Sequence, residues 1–166
     1  MWCSSSKSVL GIHDDGLVEI QIAGPGDVPQ LARLLWLHSA PEERTTESVE
    51  SFEVTLAGWC RDHATSHLAF IARATDTDVV GMAWLALLPR VPRPGALARL
   101  SADLQSVFVV PEHRGKGVGS TLVDTATKHA VRLGAGRVTV SSGRKAVPVY
   151  ERLGFAPSRE LLQRFS

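Results

Sequence analysis

Residues 114–119 read RGKGVG and combine two cations with three glycines, shortly after an apolar run that ends at Pro111. Glycine has no Cβ atom, so the backbone of such a loop can approach a ligand closely. Residues 120–133 have the apolar spacing of a helix, and the unpaired N–H groups and dipole at a helix N-terminus favour an anion. With the charges of Arg114 and Lys116, this pattern predicts a site for a phosphate or pyrophosphate group.

The spacing of this loop differs from that of two common phosphate-binding motifs. A P-loop needs GxxxxGK followed by Ser or Thr, whereas here Lys116 precedes Gly117. The dinucleotide fingerprint GxGxxG follows the first strand of a βαβ unit, whereas this GxGxG follows the fourth predicted strand. A nucleotide-binding P-loop protein therefore fits the sequence poorly. A glycine-rich turn with only a structural role is the other interpretation.

Strands and helices must position this loop. Apolar runs predict strands over residues 17–22, 68–72, 79–87, 103–110 and 137–141, and a last β-type stretch begins at Phe155. Helical spacing predicts helices over residues 28–40, 46–63, 120–133 and 146–153, with caps at Asp27 and at Thr45 or Thr46. This order predicts a mixed α/β fold that is α+β-like, because its hairpins are antiparallel whereas its helix crossovers can give parallel pairing. Residues 88–100 are rich in proline and arginine and predict an exposed basic loop.

Length and composition limit the possible classes of protein. The 166 residues fit one domain, which we place at 17–166 after a flexible tail at 1–16. A net charge of +1 gives no reason to expect a nucleic-acid partner, and no apolar run is long enough to span a membrane. The widely separated Cys3 and Cys60 predict free thiols in a reducing cytoplasm, and the histidines have no metal-ligand spacing.

Two segments carry a resemblance to one family. Residues 114–119 match the pattern [Gln/Arg]-x-x-Gly-x-[Gly/Ala], and residues 150–155 match Tyr-x-x-x-Gly-Phe. Both patterns, in this order, are typical of the GCN5-related N-acetyltransferases (GNAT family), which the chain resembles over residues 17–165. The resemblance implies a central mixed sheet of six to seven strands, flanked by about four helices. It also implies that the fourth and fifth predicted strands splay apart, a separation usually helped by a β-bulge that the sequence does not show.

The resemblance implies acetyl-CoA as cosubstrate and no metal. The backbone of residues 107–109 would pair with the pantetheine arm, and the loop amides would hold the pyrophosphate. The implied cofactor-binding residues are Val107, Phe108, Val109, Arg114, Gly115, Lys116, Gly117, Val118, Gly119 and Ser120. Gly143 stands where many members have an asparagine, so one side-chain contact to the cofactor is missing.

The implied reaction is direct attack of a primary amine on the thioester in a ternary complex. Tyr150 matches the position of the acid that protonates the leaving thiolate, and packing alone is its other possible role. Asp103 is the first candidate for the general base, directly or through a water. Strand periodicity would place Asp103 on one face with Val107 and Val109.

Other residues are alternative candidates for the general base and for contacts to the acceptor. His38, Glu42 and Glu43 are alternative bases, and Asp103 has a second interpretation as a solvated residue at a strand start. The acceptor would be the amine of a small molecule or a peptide. Arg90, Arg93 and Arg99 either attract an anionic acceptor or are solvated loop charges.

Alternatives also exist for the tryptophans, for the oligomeric state and for the function of the protein. Trp36, Trp59 and Trp84 are predicted on buried faces, and Trp84 could edge the acceptor site. A homodimer is possible. A CoA-binding regulatory or interaction module without catalysis is the alternative to an enzyme.

Overall fold

The computed structural model describes residues 9–12, 18–45, 47–158 and 161–164. The strands are β1 (Val9–Ile12), β2 (Glu19–Ile22), β3 (His67–Arg73), β4 (Val79–Arg90), β5 (Arg99–Val109) and β6 (Ala135–Val140). The helices are α1 (Val28–His38), α2 (Val49–Asp62), α3 (Val118–Arg132) and α4 (Val147–Arg152), and short 3-10 turns cover Pro25–Asp27, Glu43–Thr45 and Pro111–His113.

The strands form one open sheet in the order of the chain. All neighbours are antiparallel except β5 and β6, which run parallel because α3 crosses between them. The mixed α/β class is thus confirmed. Six to seven strands were expected. The described sheet has five strands with described side chains, β2 to β6, and a four-residue edge strand, β1, of which only the backbone is described. Among the described residues, no strand follows Phe155, so the last β-type stretch expected there is wrong for 155–158 and 161–164.

Two other boundaries differ from the expectations. Val9–Ile12 pairs with β2, so the flexible tail expected at 1–16 is wrong for these four residues, and the rest of that range lies outside the described residues. The β4 and β5 strands extend through Pro89 and from Arg99, which shortens the predicted loop to 91–98. Proline is tolerated at Pro89 because β4 pairs with β3 only as far as Ala86, so this end of β4 has a single neighbour.

The helices cover the two faces of the sheet. The α3 helix packs on the face of Gly81, where an added Cβ would lie 3.1 Å from Leu122 Cδ1. The opposite face carries Trp84, whose ring meets that of Trp59 of α2 at 5.8 Å. Buried apolar residues at helical spacing hold α1 and α3 in place: Val28, Leu31, Ala32, Leu34, Leu122, Val123, Ala126 and Ala130. The loop between β5 and α3 therefore joins two elements that both contribute buried residues to the core.

Candidate active site at a fork in the sheet

The sheet opens into a fork between β5 and β6. Asp103 pairs with Thr139 and Leu104 with Val140, where β6 ends, but β5 continues to Val109. Within the described ranges, the backbone of residues 105–109 therefore has no strand on the β6 side. These are the fourth and fifth predicted strands, so the splay that the resemblance implied is present in the pairing. An open strand edge of this kind can accept an extended ligand through main-chain hydrogen bonds.

A β-bulge in β5 begins where the fork begins. Leu85 pairs with Leu104, and Ala83 pairs with Val107. Between these two pairs β4 advances by two residues, whereas β5 advances by three. The extra residue lies in the pair Gln105–Ser106. A bulge of this kind leaves one residue out of the ladder and increases the local twist, which helps the two strands to separate.

The bulge also changes which residues share a face. Asp103 pairs with Ala86, whereas Val107 pairs with Ala83. Side chains alternate between the two faces along β4, so Ala86 and Ala83, three residues apart, lie on opposite faces, and so do their partners. Asp103 thus lies on the α1–α2 face of the sheet, and Val107 lies on the α3 face. The expectation that Asp103 shares a face with Val107 and Val109 is wrong, because the extra residue shifts the alternation by one position.

Asp103 is held at the closed end of the fork. Its side chain is half-buried, and Asp103 Oδ1 accepts a hydrogen bond of 2.7 Å from Thr139 Oγ1. Thr139 is the residue directly opposite on β6. This contact orients the carboxylate, and within the described part of the chain no other hydrogen bond to that carboxylate is found.

The glycine loop has the backbone geometry that an anion site needs. Gly115 and Gly117 have φ angles of +73° and +84°, which residues with a Cβ rarely adopt, and Gly117 is the N-cap of α3. Among the described residues, the N–H groups of residues 115–120 have no protein acceptor. These donors coincide with the positive end of the α3 dipole, so the loop is suited to a phosphate or pyrophosphate group.

Arg114 connects this loop to the end of β5. Arg114 Nε donates a hydrogen bond of 2.8 Å to the Val109 carbonyl oxygen, and the guanidinium carbon lies 5.4 Å from the centroid of the Phe108 ring. The side chain thus fixes the loop beside the open strand edge. Lys116 is exposed, and it makes no ion pair with the described residues.

Tyr150 lies on α4, which follows the end of β6. Its ring is half-buried and meets the Phe155 ring edge-on, with centroids 5.5 Å apart and an interplanar angle of 81°. Partial burial raises the pKa of the Tyr150 phenol. The phenol is therefore protonated at neutral pH and can donate a proton.

The three alternative bases have different surroundings. The His38 ring packs against Phe108 of β5, with centroids 5.4 Å apart. Glu43 Oε2 accepts a hydrogen bond from the Ala40 N–H and so stabilises the turn after α1. The Glu42 side chain is exposed. The His38 ring thus contacts a strand of the fork.

A cavity of about 310 Å³ lies between α1, α2 and the bulge. Its walls are Leu35, Phe52, Thr55, Leu56, Trp59, Trp84, Gln105 and Ser106. Trp84 is the cavity residue that the sequence indicates as a possible edge of the acceptor site, whereas the polar pair Gln105–Ser106 and the positions of Phe52 and Thr55 are findings of the structure. Trp59, predicted on a buried face, is 36% exposed. A signal existed: Phe52, Thr55, Leu56 and Trp59 have helical spacing, and Gln105–Ser106 interrupts an apolar strand.

The basic residues of the β4–β5 hairpin lie elsewhere. Arg90 pairs with Arg99, and both line a separate cavity of about 420 Å³ with Arg137 of β6. This cavity is at the opposite end of β5 from the glycine loop. In the described part of the chain, no three His, Cys, Asp or Glu side chains are grouped as metal ligands would be. No helix among the described residues combines the length and apolar character needed to cross a membrane.

Comparisons with known proteins agree with this architecture. The chain is 34% identical over 77 residues to the glucosamine 6-phosphate N-acetyltransferase of Trypanosoma brucei brucei, a match that covers 46% of this chain and 50% of the relative. The matching segment thus spans about half the length of that curated relative.

Two solved structures share the fold. An acetyltransferase from Trypanosoma brucei superposes with a TM-score of 0.70 at 24% identity, covering 90% of this chain and 99% of that chain. A protein from Clostridium acetobutylicum, described as an acetyltransferase and solved with acetyl-CoA, gives a TM-score of 0.69 at 15% identity, covering 89% and 96%. A sequence model of the acetyltransferase (GNAT) family matches residues 30–155, which include the fork, the glycine loop and Tyr150, and the chain belongs to that family.

Proposed function

We propose that this protein transfers the acetyl group of acetyl-CoA to the primary amine of a small molecule or peptide, by direct attack in a ternary complex. The observation that carries this proposal is the continuity of the open edge. The unpaired backbone starts at the bulge, runs to Val109, and leads into the glycine loop with its free N–H groups. One extended ligand that ends in a diphosphate could use both features.

Acetyl-CoA has the shape that this continuous surface needs. Four residue steps from Gln105 to Val109 extend about 13 Å at the usual rise of a strand. The amides of the pantetheine arm could pair with residues 107–109 as an added strand does. The pyrophosphate would then reach residues 115–120, close to Arg114 and Lys116. The acetyl-CoA complex of the Clostridium acetobutylicum relative supports this assignment.

The side chains near the fork can supply the proton transfers. The amine must lose a proton before or during attack, and Asp103 would accept it directly or through a water. The amine nitrogen bonds to the thioester carbonyl carbon, and the C–S bond then breaks. Tyr150 would give its phenolic proton to the leaving thiolate. The phenol carries its proton at neutral pH, as this role requires, and burial raises its pKa further.

The acceptor class is supported by a relative. The curated relative is named for an amino sugar phosphate, which supports a small-molecule amine over a macromolecule. A cytoplasmic location and a homodimer stay predictions from the sequence. A CoA-binding module without catalysis would use the same glycine loop, and turnover is what distinguishes it from the enzyme.

The test combines binding with turnover on the purified full-length chain. Titration calorimetry with acetyl-CoA should give saturable binding, and a panel of primary amines should give acetylated products by mass together with free CoA thiol. Binding without turnover on any amine would favour the module. Absence of binding at millimolar acetyl-CoA would overturn the proposal.

A further inference from the structure

The cavity beside the bulge makes a more specific statement about the acceptor possible, and this inference rests on the proposed function. Gln105 and Ser106 form part of the cavity wall and are also the residues at which the open edge of β5 begins. If the thioester lies at the inner end of that edge, the cavity is next to the reacting carbonyl. A group seated there would leave its amine pointing at the fork.

The walls of the cavity are aromatic and uncharged. Phe52, Trp59 and Trp84 contribute three rings, and in the described part of the chain none of the lining side chains carries a charge. Trp59 meets Trp84 edge-on at 5.8 Å and stacks on His63 at 4.3 Å, with an interplanar angle of 15°. These contacts hold the Trp59 ring in one orientation. Rigid aromatic walls favour a flat apolar group through stacking and burial of apolar surface.

Among the residues that the structure describes, no cation that could hold a phosphate lines this cavity. The arginines Arg90, Arg99 and Arg137 lie at the far end of β5, about 20 Å from Ser106 at the usual rise per residue. Arg114 and Lys116 belong to the glycine loop, which the cosubstrate would occupy. A sugar phosphate in the cavity would therefore bring a strongly hydrated anion into an uncharged site, at a large desolvation cost.

We infer that the acceptor of this protein is an arylalkylamine, a primary amine on a short chain whose single uncharged aromatic ring fills the cavity between α1, α2 and the bulge of β5. The volume of about 310 Å³ is at the small end of ligand sites, which suits one ring. The amine hydrogens would face the fork, on the side of Asp103. The aromatic ring would contact Phe52, Trp59 and Trp84.

The first measurement compares two acceptors with the full-length protein and acetyl-CoA. We expect kcat/KM for 2-phenylethylamine to exceed that for glucosamine 6-phosphate by about 100-fold. The free energy gained by burying one aromatic ring corresponds to a change in affinity of that order. Equal rates, or a preference for glucosamine 6-phosphate, would overturn the inference but leave the proposed acetyl transfer intact.

A matched pair of variants on α2 tests the location. Thr55→Phe places a ring in the cavity wall and should lower kcat/KM for 2-phenylethylamine at least about tenfold, with the KM for acetyl-CoA unchanged. Val54→Phe is the control, since Val54 is the neighbouring residue and is 76% exposed outside the cavity. If the two variants behave alike, the cavity does not hold the acceptor.

Binding of the ring can be measured without turnover. Titration of 2-phenylethylamine, with free CoA present and absent, should change the tryptophan fluorescence in a saturable way, and Thr55→Phe should remove that change. If the protein binds no acetyl-CoA but this titration succeeds, the proposed function fails and the ring site stands. If the titration shows no saturable change in the wild type, the ring site is wrong.

Discussion

Asp103 and Thr139 face each other across the parallel ladder of β5 and β6, and Thr139 Oγ1 donates a hydrogen bond of 2.7 Å to Asp103 Oδ1. The next pair, Leu104 and Val140, is the last before the strands part. The carboxylate is thus fixed by a neighbouring strand two residues before the free backbone edge begins at Gln105. This relationship gives Asp103 a defined position relative to any ligand that enters the fork.

Replacement of Asp103 tests whether that carboxylate accepts the proton of the amine. We expect Asp103→Asn to lower kcat about 100-fold, the lower range for loss of a general base. Asparagine keeps the shape of the side chain, so the fold should be retained. Thr139→Val, which removes only the orienting hydroxyl, should cost less than about tenfold. An Asp103→Asn enzyme with an unchanged kcat would exclude this role.

Tyr150→Phe tests the proton donor. The phenyl ring can keep the edge-on contact with Phe155, so the change removes the hydroxyl and little else. We expect kcat to fall about 10- to 100-fold, while the dissociation constant for acetyl-CoA by calorimetry stays within about twofold. A loss of acetyl-CoA affinity without a change in kcat would show that Tyr150 has a packing role instead.

Gly115→Ala tests the loop that would hold the pyrophosphate. An added Cβ at Gly115 meets no atom within 4 Å, but the φ of +73° is strained for alanine. The loop should therefore shift its N–H groups, and acetyl-CoA affinity should fall about tenfold. Gly26→Ala is the matched control, because Gly26 also has nothing within 4 Å and its φ does not require glycine. Equal affinities for the two variants would contradict a role of the loop in binding.

The sequence was most informative where the backbone itself restricts the choice of residue. Positive φ angles at Gly115 and Gly117 need glycine, so the loop could be recognised from residue types alone. The apolar spacing of α3 was also readable: Leu122, Val123, Ala126 and Ala130 are buried, whereas Val131, which belongs to the same apolar pattern, is 58% exposed. Both features depend on residues close together in the chain.

Features that depend on distant segments could not be predicted in the same way. The bulge at Gln105–Ser106 is a mismatch of register between β4 and β5, and it overturned the face assigned to Asp103. The cavity combines side chains of α1, α2, β4 and β5. The cap of α2 is Ser48, which accepts a hydrogen bond from the Ser51 N–H, although Thr45 or Thr46 was expected, because several nearby hydroxyl residues could serve.

Two histidines in the fold should make stability depend on pH. Burial, with His63 nearby, lowers the pKa of His67, and burial, with Arg132 nearby, lowers the pKa of His129. The unfolded state therefore binds more protons, so stability is greatest above about pH 6.5 and decreases as the pH falls through the two lowered values. Thermal unfolding scans from pH 8 to pH 5 should show a falling Tm. A double variant, His67→Gln with His129→Gln, should have a flatter profile, and an identical slope would contradict the assignment.

The Cys60 thiol should be unreactive in the folded protein. Cys60 is 3% exposed, and its burial raises the pKa of the thiol to about 11. Little thiolate is present at pH 8, and the thiolate is the reactive form. We expect dithionitrobenzoate to modify Cys60 only when the protein is unfolded in urea, as shown by mass mapping of the labelled peptide. Rapid labelling of Cys60 in the native state would show that α2 opens readily. The same inertness lets this reagent measure CoA release with little background from Cys60.

The ion pair between Asp27 and Arg73 tests how α1 is attached to the sheet. The two side chains are 16% and 9% exposed, and Asp27 Oδ2 also accepts a hydrogen bond of 2.8 Å from the Gly24 N–H. We expect Asp27→Asn to lower the free energy of unfolding in urea by about 3 kcal/mol, because it leaves the Arg73 charge buried without its partner.

The exposed pair Asp124–Lys128 on α3 provides the control for this measurement. Its side chains are 42% and 70% exposed, so Asp124→Asn should cost less than about 0.5 kcal/mol. If the two substitutions lower the free energy of unfolding by the same amount, Arg73 binds another partner or water when Asp27 is replaced. If they differ as expected, the beginning of α1 is fixed to the end of β3 by a buried charge. Because α1 also contributes Leu35 to the cavity wall, Asp27→Asn should then weaken 2-phenylethylamine binding more than acetyl-CoA binding.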